Sequence, residues 1–303
     1  MEVPSAKAGI DPRRFIGSGL PRGVALDRED APALAREIDA LCALMKRPAP
    51  TQIVFTAECA LRMHEERVLL GLKRQRTLGI GWPLLFMLDA DEIRAALALA
   101  LCTDRLALPP EDASAADAQI AARLGAPLLA RTLSRLLAAA ELARRDWFAR
   151  LLQPARKTEQ TVDGGLRNLR RAIETRGRAD WQSALDISLG DRANAAAAAR
   201  LQALGGSDVR GGSHRNVAQA WLWEGLIERL TTALERDFLQ LLTPVWVEEY
   251  ARWAPARARA RALEGARRAR TLDVADQIEL AALVEQLLGA RPANALYRDL
   301  YTR

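Results

Sequence analysis

Apolar positions in this chain recur mostly at helical spacing. Leu34, Ile38, Leu41, Leu44 and Met45 share one face after the acidic opening Asp27-Arg28-Glu29-Asp30-Ala31-Pro32, and the run stops before Pro48, so a first amphipathic helix is predicted there. The period then changes. Gln52-Ile53-Val54-Phe55-Thr56 is β-branched and aromatic and follows a Pro-containing turn, which predicts a strand, and two further short strands are expected around Cys59–Met63 and Arg76–Ile80, parted by Gly71. From Pro83 the helical spacing returns. Segments are expected over Asp91–Cys102, Ser114–Leu124, Pro127–Leu152, Leu166–Thr175, Ala193–Leu204, Val217–Tyr250, a basic helix to about Arg270, and Val274–Leu288, with Ala293–Leu300 as the start of a helical hairpin. Breaks fall at Pro109-Pro110, Asp163-Gly164-Gly165 and the loop Gly205 to Ser213. The expected class is α+β, predominantly α-helical with one small antiparallel sheet.

Composition narrows the chemistry. The chain has 303 residues, half of them hydrophobic and 27% charged, enough for a substantial core in one large domain or two smaller ones. Its three cysteines, Cys42, Cys59 and Cys102, are dispersed and odd in number, which suits reduced thiols rather than a disulfide framework. No apolar run reaches the length of a membrane span or a secretory segment, so a soluble, cytoplasmic protein with no transmembrane segment is expected. The net charge is +6, carried almost wholly by arginine and densest over Arg252 to Arg270. There the charges alternate with alanines, cover several helix faces and lack interleaved aromatics, the pattern of a solvated helix rather than a nucleic-acid platform.

The stretch from Gln52 to Asp104 is the most informative. The strand Gln52–Thr56 and Ala57-Glu58-Cys59-Ala60 are followed by Thr77-Leu78-Gly79-Ile80-Gly81-Trp82-Pro83-Leu84-Leu85, then by Leu88-Asp89-Ala90-Asp91-Glu92-Ile93-Arg94-Ala95-Ala96-Leu97-Ala98. This order resembles the HtpX-type and CAAX-prenyl-protease-like zinc metallopeptidases, the gluzincins of peptidase family M forty-eight. In them a strand, a Leu-Gly-x-Pro-Leu-Leu segment and a Leu-Ser-x-Glu-Glu-Leu-Arg helix entry lead into His-Glu-x-x-His. The resemblance covers most of residues 24–255 loosely and 52–125 best, and it implies a minigluzincin-like fold.

Carried over residue by residue, the family's first His falls on Leu99, its Glu on Ala100 and its second His on Thr103. Two imidazoles one helical turn apart would hold zinc, and the Glu would act as base on the metal-bound water. Leucine has no donor atom, alanine takes no proton, and a neutral threonine hydroxyl is a poor zinc ligand. The family's third ligand, a Glu four residues before an Asp, falls on Ala113, with Asp117 kept; Glu111 and Asp112 are out of register. Arg200-Leu201-Gln202-Ala203-Leu204-Gly205 resembles the end of the family's Asp-x-His-Pro…Arg-Leu-x-x-Leu-Gly element, with Asn194 at its His and Ala195 at its Pro.

The resemblance therefore implies a degenerate member, a pseudoenzyme with no catalytic residues, no metal and no cofactor. Such a protein would bind a protein or peptide partner through the retained cleft, an active peptidase relative being one partner by analogy. Gln52, Ile53, Val54, Phe55 and Thr56 form the expected peptide-binding edge, since strand addition needs no catalytic group. The organisation expected is a flexible leader over 1–23, a metallopeptidase-like domain over 24–255 and a helical extension over 256–303. Two other readings stay open: an enzyme with replaced chemistry or an unrecognised metal site, and a nucleic-acid or anionic-surface binder acting through Arg252–Arg270. His64-Glu65-Glu66-Arg67-Val68 begins like a zinc motif but places Val68 where the second His belongs, and His214 sits in a Gly/Ser loop without partners at ligand spacing. Trp221 and Trp223 fall on opposite sides of a helix, which leaves one of them a candidate interface anchor.

Overall fold

The structure, a computed structural model of the chain, describes residues 23–68, 73–103, 110–161, 164–174, 178–206, 209 and 217–301. The leader through residue 22, most of the Gly205 to Ser213 loop and His214 lie outside the described residues. In chain order the elements are β1 (Val24–Leu26), α1 (Pro32–Met45), β2 (Gln52–Thr56), β3 (Leu61–Val68), β4 (Lys73–Gly81), α2 (Leu84–Met87), α3 (Ala90–Cys102), α4 (Pro110–Leu124) and α5 (Ala126–Leu142). A π-helical turn, Ala143–Phe148, leads to α6 (Ala149–Leu152). Then come α7 (Gly165–Glu174), α8 (Arg178–Gly190), α9 (Ala195–Ala203), α10 (Val217–Trp221), α11 (Glu224–Arg252), α12 (Ala254–Arg268), α13 (Val274–Leu288) and α14 (Ala290–Tyr301).

The described residues divide into two compact units, one of 23–147 and 164–238, the other of 148–161 and 239–301. The division runs through α11 after Phe238, earlier than the boundary expected at residue 255.

In the larger unit the single sheet has the order β1-β2-β4-β3. It is mixed rather than antiparallel: β2 lies parallel to β4, with Ile53 opposite Leu78 and Phe55 opposite Ile80, while β1 and β3 are antiparallel to their neighbours. Gly81, at the end of β4, is required by close approach. A Cβ there would lie 2.3 Å from the Glu58 carbonyl oxygen and 2.6 Å from that of Ala60.

α3 is the centre of this unit, packed against α1, α4, α5 and β3. It is apolar nearly all round, as a helix buried on every side must be: Ile93, Ala95, Leu97 and Ala98 are fully inaccessible. A reciprocal capping box opens it. The Asp89 carboxylate accepts from the Glu92 N–H at 2.8 Å, and the Glu92 carboxylate accepts from the Asp89 N–H at 3.0 Å. The predicted amphipathic helix is α1, with Leu34, Ile38, Leu41 and Met45 buried.

The smaller unit has its own core, in which Trp253, Ala256, Leu263, Leu280, Leu283 and Leu287 join α12 to α13. α14 completes the expected helical hairpin, adding Leu296 to that core.

Candidate functional site

The positions singled out on α3 are core positions. Leu99 and Ala100 are 2% and 5% exposed, and Thr103, which ends the helix, is 6% exposed. The Thr103 hydroxyl donates back to the Leu99 carbonyl at 2.7 Å, so its one proton is used within the helix. The donor set does not fit zinc. Leucine and alanine bring no lone pair, and the threonine oxygen is turned onto its own backbone. Leu99 and Ala100 themselves bring no side-chain donor or acceptor into the core that would need a partner.

Asp117 and Arg200, the two polar residues the resemblance retains, are brought together from 83 residues apart. Arg200 Nε donates to Asp117 Oδ2 at 2.8 Å and a terminal nitrogen donates to Oδ1 at 2.6 Å. Their side chains are 8% and 5% exposed, so this is a buried, bidentate ion pair tying α4 to α9. Ala113 lies one helical turn before Asp117 on α4. Asn194 stands apart from the pair in its bonding. Its amide donates to the Ser188 carbonyl at 2.9 Å and to the Ser188 hydroxyl at 3.0 Å, closing the turn from α8 into α9.

A second buried charge group was hidden in the sequence. The Glu92 side chain is fully inaccessible and sits 3.3 Å from Arg131 Nε and 3.2 Å from Arg135 Nε, both on α5. The Arg135 guanidinium also lies 3.9 Å from the centre of the Trp181 ring and donates to the Met87 carbonyl. Burial pushes the Glu92 carboxyl up from its ordinary value, against the pull of Arg135 and Arg131. Burial likewise pulls Arg135 down. Desolvation outweighs attraction on both partners. Helical spacing of Trp181, Ala184, Leu185 and Ser188 would have revealed α8, and with it the ring under Arg135, but α8 was not among the expected segments.

The expected edge, Gln52–Thr56, is an interior strand. β1 occupies one side of β2 and β4 the other. The physical reason is in the side chains: Ile53, Val54, Phe55 and Thr56 are all buried, an unbroken run of the kind that fills a strand covered on both faces rather than an alternating one.

Among the described residues the sheet ends instead at β1 and β3, and β3 is the longer edge. The Gly81 N–H donates to the Ala60 carbonyl at 2.8 Å, which sets the phase of the antiparallel β3–β4 ladder. With strict alternation, Arg62/Gly79, His64/Thr77 and Glu66/Gln75 are the hydrogen-bonded pairs. The N–H and C=O groups of Leu61, Met63 and Glu65 then point away from β4. The Leu61 and Met63 side chains are buried, and Glu65 pairs across the ladder with Arg76.

His64 Nε2 lies 3.9 Å from a Glu66 carboxylate oxygen, and among the described residues no group of three or more His, Cys, Asp or Glu is placed to hold a metal ion. Cys59 is half-buried, its sulfur 3.8 Å from Met87 Sδ, and desolvation pushes its thiol up to about 12.

In the smaller unit the arginine run is largely engaged. Arg257 stacks 3.6 Å from the Tyr250 ring centre, Arg259 pairs with Glu279 at 2.6 Å and Asp276 at 3.1 Å, and Arg267 pairs with Glu264 and Asp299. Arg259 and Arg267 thus answer carboxylates of their own unit, and Arg257 an aromatic ring. Among the described residues no helix is long and apolar enough to cross a membrane. Set beside known proteins, the chain matches no family model, no curated protein and no solved structure.

Proposed function

We propose that this chain is a non-catalytic relative of the zinc metallopeptidases that holds an extended segment of a protein or peptide partner along the outer edge of β3, without cleaving it. One observation carries the reading. β3 packs on α3, the helix that aligns with the family's catalytic helix, and it has no strand partner on its outer side among the described residues. Outward N–H and C=O groups at alternate residues are what strand addition requires, and they need no metal or base. The apolar residues at Leu99 and Ala100 make the former catalytic helix a support for β3 rather than the wall of an open cleft.

Amide hydrogen exchange on the whole chain with unfolded casein as probe, combined with intact mass of the casein afterwards, tests this. Expected are slowed exchange within Leu61–Val68 and casein of unchanged mass. Casein cleavage, or binding that leaves β3 exchange unchanged, rejects the proposal. Stoichiometric zinc retained after dialysis would favour the reading as an enzyme with an unrecognised metal site.

A further inference from the structure

The junction between α10 and α11 turns an indole outward. Trp223 lies between the two helices, and its carbonyl accepts the first N–H groups of α11, from Leu226 at 3.0 Å and Ile227 at 3.1 Å. Its residue surface is 56% exposed, whereas Trp82, Trp147, Trp181, Trp246 and Trp253 are buried. An exposed ring is ordinarily free to reorient, but this one is held on two sides. Its Nε1–H donates to the Asp30 carbonyl at 3.2 Å, in the turn between β1 and α1. The ring also covers Gly225, where a Cβ would come within 2.0 Å of the ring atom Cζ3. A side chain at 225 would therefore displace the indole. The Asp30 carboxylate in turn pairs with Arg229, one turn further along α11. The ring's orientation is set before any partner arrives, so little rotamer freedom remains to be lost on binding.

The charge around the ring is opposite in sign to that of the chain. Asp27, Glu29 and Asp30 lie in the turn beneath it and Glu224 and Glu228 in the first turns of α11, against Arg28 and Arg229. Arg28 is drawn off to Asp39 and Arg229 to Asp30. An acidic corner carrying a preset indole, in a chain of net charge +6, attracts cations locally.

We propose that this corner is a docking site for a basic peptide segment of a protein partner, with an arginine or lysine side chain lying on the exposed indole face. Cation–π attraction and the carboxylates of Glu29 and Glu224 act together on the same side chain. The site is independent of the β3 edge.

The test is fluorescence anisotropy of a short labelled peptide alternating Arg and Gly, titrated with the whole chain at low salt, beside a matched peptide with Glu in place of Arg. The Arg peptide is expected to bind with a Kd on the order of micromolar, and the Glu peptide not to bind. Trp223→Ala weakens binding about tenfold. Gly225→Ala, which shifts the indole without removing it, also weakens binding while its unfolding midpoint stays at or above that of the wild type, because alanine is the better helix former. Glu29→Gln with Glu224→Gln flattens the salt dependence. Absence of Arg-peptide binding, equal binding of the Glu peptide, or full affinity in both Trp223→Ala and Gly225→Ala overturns the proposal. Sedimentation that shows self-association abolished by Trp223→Ala overturns it in favour of a second copy of the chain.

Discussion

Replacing Asp117 with alanine removes one half of a pair that is almost entirely out of water, with exposures of 8% for Asp117 and 5% for Arg200. Two charge-assisted hydrogen bonds, of 2.8 and 2.6 Å, are lost at once, and the Arg200 guanidinium keeps its charge without its carboxylate. Breaking a buried pair from one side costs about 3–5 kcal/mol, whereas an exposed pair is worth no more than about 1 kcal/mol. For a unit of this size the loss corresponds to a fall in Tm of about 6–20 °C. Urea unfolding followed by far-UV circular dichroism measures the change, and hydrogen exchange in α4 and α9 locates it. Substituting both residues by apolar ones of similar volume, Asp117→Leu with Arg200→Met, is expected to recover most of the loss, because two desolvated charges are removed together. The double-mutant cycle isolates the pairwise contribution from lost packing. A loss under about 1 kcal/mol for Asp117→Ala, or a double substitution no better than the single, would refute the reading of this pair as a buried clamp between α4 and α9.

Two further outcomes follow from buried titratable groups. Burial raises the Glu92 carboxyl above its ordinary 4.5, so the folded protein holds that proton more tightly than the unfolded chain does. Its contribution to stability is complete below the unfolded value and is lost as pH rises through the raised native one. Glu92→Gln keeps an acceptor for the capping box and removes the titration. Between about pH 4 and pH 7 the urea midpoint of the wild type should therefore fall relative to that of the variant, and a relative rise would contradict the cause assigned. For Cys59, a thiol pushed up to about 12 stays protonated near neutrality. Reaction with a disulfide reagent should be slow in the native protein and follow unfolding, and a fast phase that Cys59→Ala abolishes would count against it.

Local pattern was readable along much of the chain. The face of α1, the strand at Gln52–Thr56 and the helix that became α3 all rest on spacing within a few residues of one another. What escaped depends on distant partners. β2 reads equally well as an edge or an interior strand, and only the pairing of Val24–Leu26, a three-residue strand too short to announce itself, places it inside the sheet. The parallel pairing of β2 with β4 likewise arises because β3 and β4 form a hairpin and β4 returns alongside β2. The ion pairs of Glu92 are not legible locally, since nothing near it in sequence signals the arginines of α5 about 40 residues on. The resemblance pointed to Asp117 and Arg200 separately, as two retained positions, and not to the bond between them. α11 begins after a break at Leu222 and Trp223 that contains neither Gly nor Pro, so the expected helix from Val217 ran through it.

The buried state of Leu99, Ala100 and Thr103 also constrains the chemistry open to this part of α3. A zinc site needs an open coordination position and room for substrate, whereas these three residues are 2%, 5% and 6% exposed in the middle of the larger unit. Placing imidazoles at positions 99 and 103 would put polar rings among Leu97, Ala98 and Leu101 with no third ligand at Ala113, a change that destabilises without building a metal site. Apolar side chains at positions 99 and 100 and the closed packing around them are thus mutually consistent, since neither brings an unpaired donor or acceptor into the core. On the proposed reading, recognition lies where backbone or rigid side chains meet solvent. Among the described residues of the larger unit, the two sites proposed above are the outer edge of β3, where alternate peptide groups face away from β4, and the acidic corner at Trp223. As proposed, the first would read chain direction and extension and the second charge, so a partner with an extended stretch and a separate basic segment would satisfy both without any bond being broken.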